Sequence, residues 1–324
     1  MRKRIIVLAL IGAFMLAGPG PGAAAPPAVV QPEHVVIFVL EGFGQDALKN
    51  NAMPVISKLV QTGAVAWAAT AVNPPLRLPT MASLILGLPV EQHGIDWETF
   101  DFARGYPRSP SMFDYIDLGG GKDTAVFFMD EALYQLARPA SFIDYQLCGK
   151  LRPECKAATV VTYVREYFKK GSQGGYNHYV YALPHLLIVH LPDAGRIGEE
   201  QGYTSRAYKD ASKNVDDAIG AILGIYKQYK LLDDTMVIVT ALNGMGAAPA
   251  NGALPQVPWI VSGANVKAGH TIAGPVSIMD TGATVMRAFG LETHTEWQSR
   301  AIEEIFRAPR AIVHNAPAIN LHGY

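Results

Sequence analysis

The chain has 324 residues, 49% of them hydrophobic and 17% charged, with a formal net charge of −1 and a mean hydropathy of +0.13. That apolar content excludes a disordered chain and suffices for one large core. The near-neutral balance excludes a global field that would gather nucleic acid or an anionic membrane surface, so no nucleic-acid partner is expected.

At the amino terminus, MRKR is a positive run and IIVLALIGAFMLAG (5–18) an apolar one, followed by helix-breaking GPGPGAAAPP with an Ala-x-Ala site at Ala23–Ala25. The apolar run falls short of the roughly 20 residues of a spanning helix. Residues 1–25 therefore read as a signal peptide, with an uncleaved anchor as the alternative. The expectation is export to the periplasm or extracellular space, with no stable membrane span in the mature chain. Cys148 and Cys155 bracket GKLRPE, and a disulfide between them is expected in an oxidising compartment.

Apolar runs at HVVIFVL (34–40), TAVFFM (124–129), HLLIVHL (185–191), TMVIVTAL (235–242) and VPWIVSG (257–263) predict strands. Helices are predicted over 52–62, 79–86, 155–170, 204–229 and 278–290. The fourth is the clearest, because Tyr208, Ala211, Val215, Ile219, Ile222 and Ile225 keep a helical period. Near-continuous apolar strands between helices predict an α/β sandwich, with a mostly parallel central sheet covered by helices on both faces. Residues 26–324 read as one domain, with a cap or insertion around 96–150. Chemistry in such a sheet sits in loops after the strands' carboxyl ends, here after 40, 70, 191 and 242.

Those loops carry LEGF (40–43), PPLRLPTMASLILGLPVEQHGI (74–95), HLPDAGRIG (190–198) and TALNGM (240–245). Together with PWIVSGANVKAG and PVSIMDTGATVMRAFGL, they resemble the type I phosphodiesterase/nucleotide pyrophosphatase branch of the alkaline phosphatase superfamily. The resemblance implies an alkaline-phosphatase-like fold and a two-zinc phosphoester hydrolase site. Zinc takes imidazole and carboxylate ligands, and paired ions activate a nucleophile and stabilise the oxygens of an in-line displacement.

Matched residue by residue, this chain departs from that pattern. Glu41 stands at the first metal-ligand aspartate, Arg77 at the nucleophile and Thr80 at a phosphoryl-binding asparagine. Asp193 is kept, but Arg196 stands at a ligand histidine. Leu242 and Asn243 replace an Asp-His pair, and Asn251-Gly252 stands at the final His-Gly. Two carboxylates survive and the family's imidazoles are replaced. Arginine stays charged and its planar fork suits a carboxylate. The expectation is that Arg77 pairs with Glu41 and Arg196 lies close to Asp193, two cations against two anions.

Glu41 alone is also compatible with a weak metal ligand or a general base, and Arg77 with Arg196 with an anion-binding pocket. Thr80 and Ser83 read as N-cap or surface hydroxyls, His93 as scaffold and His190 as a satisfied core histidine. The functional expectation is an exported pseudo-hydrolase without a cofactor, serving as a binding or assembly component with a protein partner. Two alternatives stand beside it. One is a divergent phosphodiesterase or phosphate- or sulfate-ester hydrolase using zinc; the other is a periplasmic anion-binding module.

Overall fold

The computed structural model describes residues 29–137, 145–146, 156–173, 182–246 and 253–312. The predicted signal segment, Cys148, Cys155 and Asn251 lie outside the described residues.

The chain opens with β1 (His34–Leu40), α1 (Gln45–Asn50), α2 (Pro54–Thr62) and β2 (Gly63–Thr70). Next come α3 (Arg77–Leu86), α4 (Val90–His93), α5 (Met112–Gly120), β3 (Thr124–Phe127), β4 (Tyr145–Gln146) and α6 (Ala157–Ser172). It closes with β5 (Leu186–Leu191), α7 (Asp193–Gln201), α8 (Arg206–Gln228), β6 (Thr235–Ala241), β7 (Gln256–Gly263), β8 (His270–Thr271) and α9 (Asp280–Phe289). The five predicted strands and five predicted helices are all present, with ends displaced by a few residues. Segment 96–150 holds α5 and contributes β3 and β4 to the sheet.

One eight-stranded sheet runs in the order β4-β3-β5-β1-β6-β7-β2-β8. Only β7 is antiparallel to its neighbours, β6 and β2. The carboxyl ends of β1, β2, β3, β5 and β6 consequently share one edge. Strands β1, β5 and β6 are buried along their whole length, which is why their sequences are continuously apolar rather than alternating. Each wholly buried valine, isoleucine or phenylalanine there contributes about 1.5–3 kcal/mol.

Helices α2, α6 and α7 gather against α8, whereas α3, α4, α5 and α9 pack together as a second group. These two groups cover the two faces of the sheet. The α8 stripe predicted from sequence faces inward: Tyr208, Val215, Ile219, Ile222 and Ile225 are all buried. Its Asp216 ties two helices of this group together, accepting the Val55 and Ile56 N–H groups at 2.9 and 2.8 Å at the start of α2. That helix begins with Pro54 and has no capping side chain of its own, so α8 supplies one.

Candidate functional site

Five loops meet at the carboxyl edge of the sheet. Glu41 follows β1, Arg77 opens α3, Asp130 follows β3, Asp193 opens α7 and Asn243 follows β6. Asp193 and Arg196, expected on a loop, lie on the first two turns of α7. Gly42 lets this helix approach: it sits at φ +61°, and a Cβ there would meet Gly195 Cα at 2.6 Å. Asn243 clamps the same turn, its Oδ1 accepting the Gly42 N–H at 2.6 Å. Leu242 is wholly buried and donates its N–H to Leu40 O.

Glu41 is wholly buried. Its Oε1 lies 2.8 Å from His190 Nε2 and 3.0 Å from Arg77 Nε. Since a carboxylate is approached by a donor, His190 carries a proton on Nε2. His190 is buried in β5, as expected of a core histidine, but its partner is Glu41, so an imidazole does stand in the site. The parallel register sets Val39 of β1 beside His190 of β5, which brings the ring to the residue just past the β1 end.

The expected Arg77–Glu41 contact is present, but Arg77 reaches further. Its Nη1 donates to Asp130 Oδ2 at 3.1 Å, and Nε lies 3.4 Å from Glu98 Oε1. The Nε hydrogen has no aligned acceptor, so the approach to Glu41 is a charge contact rather than a directed hydrogen bond. Burial alone would lower the guanidinium pKa, but Glu41, then Asp130 and Glu98, hold it above its ordinary value. Glu98 in turn accepts the Leu78 N–H at 3.3 Å, closing the amino end of α3. Burial raises the Glu98 pKa, with Arg77 opposing.

Arg196 departs from expectation. It donates to Met129 O at 2.8 Å and lies 3.5 Å from Asp130 Oδ2. No ion-pair contact joins it to Asp193 among the described residues; it acts on that carboxylate through space. Burial raises the Asp193 pKa, and Arg196 opposes the shift. The balance of two cations and two anions is corrected as well. Glu41, Glu98, Asp130 and Asp193 face Arg77 and Arg196, a formal local charge of −2 before His190 is counted. Glu98 and Asp130 escaped the sequence reading because neither lies in a motif-bearing loop.

Thr80 and Ser83 are neither caps nor surface residues, for both are wholly buried. Thr80 Oγ1 donates back to Leu76 O at 2.7 Å, so it offers nothing to the cleft. Ser83 Oγ lies 2.9 Å from His93 Nε2, while His93 Nδ1 accepts the Ile95 N–H at 3.0 Å. That acceptance puts the ring proton on Nε2, which donates to Ser83 and cannot take its proton. Burial lowers the His93 pKa to about 4. The pair ties α3 to α4 and does not make a nucleophile.

The family model for type I phosphodiesterase/nucleotide pyrophosphatase matches residues 35–292. The chain belongs to this family. Among solved structures, murine ectonucleotide pyrophosphatase/phosphodiesterase 5, as an inactive variant in complex with AMP, is similar with a TM-score of 0.66 at 13% identity, covering 84% of this chain and 99% of that one. The human form of that protein gives a TM-score of 0.66 at 12% identity, covering 85% and 100%. A protein solved with its substrate D-glucosamine-2-N,6-O-disulfate gives 0.63 at 10% identity, covering 88% and 82%. Comparison with curated proteins finds no match. At these identities the structural likenesses establish the fold, an alkaline-phosphatase-like sandwich.

Four buried atoms of the cleft, among the described residues, have no hydrogen-bond partner: Glu41 Oε2, Arg77 Nε, His190 Nδ1 and Asp193 Oδ2. Among the described residues, no group of three or more His, Cys, Asp and Glu side chains is arranged to hold a metal ion. No described helix is long and apolar enough to cross a membrane.

Proposed function

We propose that this family member is an exported pseudo-hydrolase, non-catalytic, whose cleft is held by charge pairs and which serves in binding or assembly with a protein partner. The observation that carries this reading is Arg77. It opens α3 at the family's nucleophile position, yet its guanidinium stands within 3.0–3.4 Å of Glu41, Asp130 and Glu98. A guanidinium does not attack phosphorus, and a permanent cation on Glu41 opposes a zinc ion there. The residues therefore do not fit a two-zinc centre. Glu41 Oε1 is shared between His190 and Arg77, Arg196 replaces an imidazole, and Leu242 replaces a carboxylate. The alternative of an anion-binding module is disfavoured by the same geometry, because both arginines already face carboxylates and the local charge is negative.

One specific observation favours the enzymatic alternative, a divergent phosphate- or sulfate-ester hydrolase. Buried atoms without protein partners, such as Glu41 Oε2, His190 Nδ1 and Asp193 Oδ2, are ordinarily met by ordered water or an ion. The test is turnover of an aryl phosphodiester, an aryl monoester and an aryl sulfate with added zinc or manganese. The pseudo-hydrolase reading expects no turnover above background, in the native protein or in the Glu41→Asp/Arg77→Thr double variant. Turnover abolished by Glu41→Ala would replace this reading with the enzymatic one.

A further inference from the structure

At the edge of the sheet opposite Glu41, a groove of about 570 Å³ opens between α2, α8 and the adjoining ends of β6 and β7. Its volume falls within the roughly 300–1,000 Å³ of small-molecule sites. Val55, Leu59, Leu223, Leu232 and Val237 line it. The charged residues in the lining are Lys58 and Lys227, and no acidic side chain joins them. Among the described residues neither lysine has an ion-pair partner.

Gly224 supplies an independent observation. It lies inside α8, where glycine destabilises a helix relative to any ordinary residue. Its backbone has no left-handed φ, and a Cβ built on it would meet nothing within 4 Å. Neither conformation nor packing therefore requires glycine at 224. Gly220, one turn earlier, differs: a Cβ there would press on Val55 Cγ2 at 2.9 Å. Gly224 lines the groove and places no side chain in it.

We propose that this groove binds a single-chain amphiphile with an anionic head, of the fatty-acid class. The alkyl chain lies along the leucine and valine walls over Gly224, and the carboxylate meets Lys58 and Lys227. Apolar burial supplies the affinity, at a strength that grows with each methylene covered. The two lysines select the sign of the head group. This site is separate from the Glu41 cleft, so it stands or falls independently of the pseudo-hydrolase reading.

The test is isothermal titration of the purified protein with decanoate and with decyltrimethylammonium, each below its micelle concentration. Saturable binding of decanoate, at least tenfold tighter than the cation, is expected. Gly224→Leu fills the groove with a better helix former, so it should raise or preserve the melting temperature while weakening decanoate about tenfold or more. Lys58→Glu/Lys227→Glu alters only charge, and should weaken decanoate and strengthen the cationic amphiphile. If Gly224→Leu fails to fold, this charge-reversal pair decides. Absence of saturable decanoate binding, equal binding of both amphiphiles, or an unchanged affinity in both variants would overturn the proposal.

Discussion

His190 Nε2 and Glu41 Oε1 lie 2.8 Å apart, both side chains wholly enclosed. Removing the ring leaves a cavity and deprives a buried carboxylate of its directed hydrogen bond. His190→Ala is therefore expected to cost about 2–4 kcal/mol of folding stability. His190→Gln keeps a donor near the same place and should lose less than half as much. Urea unfolding of both variants measures this, and an alanine variant within about 0.5 kcal/mol of native would contradict the assigned contact.

Arg77 faces three carboxylates, so its loss leaves them to repel one another in a largely buried cleft. Arg77→Ala should destabilise by about 3 kcal/mol, the scale of breaking a buried ion pair. Adding Glu41→Gln to that variant removes one uncompensated charge and should recover part of the loss. A double-mutant cycle reads the coupling directly. Strict additivity would mean that the 3.0 Å approach of Arg77 to Glu41 contributes nothing to stability.

His93 predicts a pH dependence. Its pKa is about 4 in the folded protein and near 6.5 when exposed, because burial disfavours the charged ring. Between these values the unfolded chain binds more protons, so stability is fully present above about pH 6.5 and declines as pH falls toward 4. The full shift is worth roughly 3 kcal/mol. His93→Gln should flatten this part of the stability profile, measured by chemical denaturation from pH 7 to 4. An unchanged acid limb would show that other groups govern it.

Asp216 caps a helix to which it does not belong. Asp216→Asn retains one acceptor for the two N–H groups of Val55 and Ile56 and should cost about 1–2 kcal/mol. Asp216→Ala strands both donors and should cost more. Hydrogen exchange at Val55 and Ile56 should accelerate in both variants, whereas exchange in β5 follows only the global change. Unchanged protection at those two amides would remove Asp216 from its capping role.

The sheet was legible because β1, β5 and β6 are buried on both faces and leave unbroken apolar runs in the sequence. β2 leaves a weaker trace: GAVAWAAT is alanine-rich and neither alternates nor forms a branched run, so its sequence does not signal a strand. α7 gives no helical signal in the sequence, because DAGRIGEEQ holds two glycines and little apolar periodicity. In the site, Glu41, Arg77 and Asp193 were recognisable from their motifs. The partners that decide their roles were not. His190 reaches Glu41 through a strand register spanning 149 residues, and Asp130 arrives on the turn after β3. Contacts set by tertiary register leave no periodic trace along the chain. A polar ring near the carboxyl end of HLLIVHL was the one available signal for His190.

In the proposed pseudo-hydrolase, arginine charge takes the place of metal in this cleft. The most direct test of this replacement is a zinc titration of the chelator-treated native protein, followed by thermal unfolding and bound-metal content. A pseudo-hydrolase shows no saturable zinc binding at the cleft, and no rise in melting temperature that depends on Glu41. Stoichiometric zinc with a stabilisation that vanishes in Glu41→Ala would contradict the replacement.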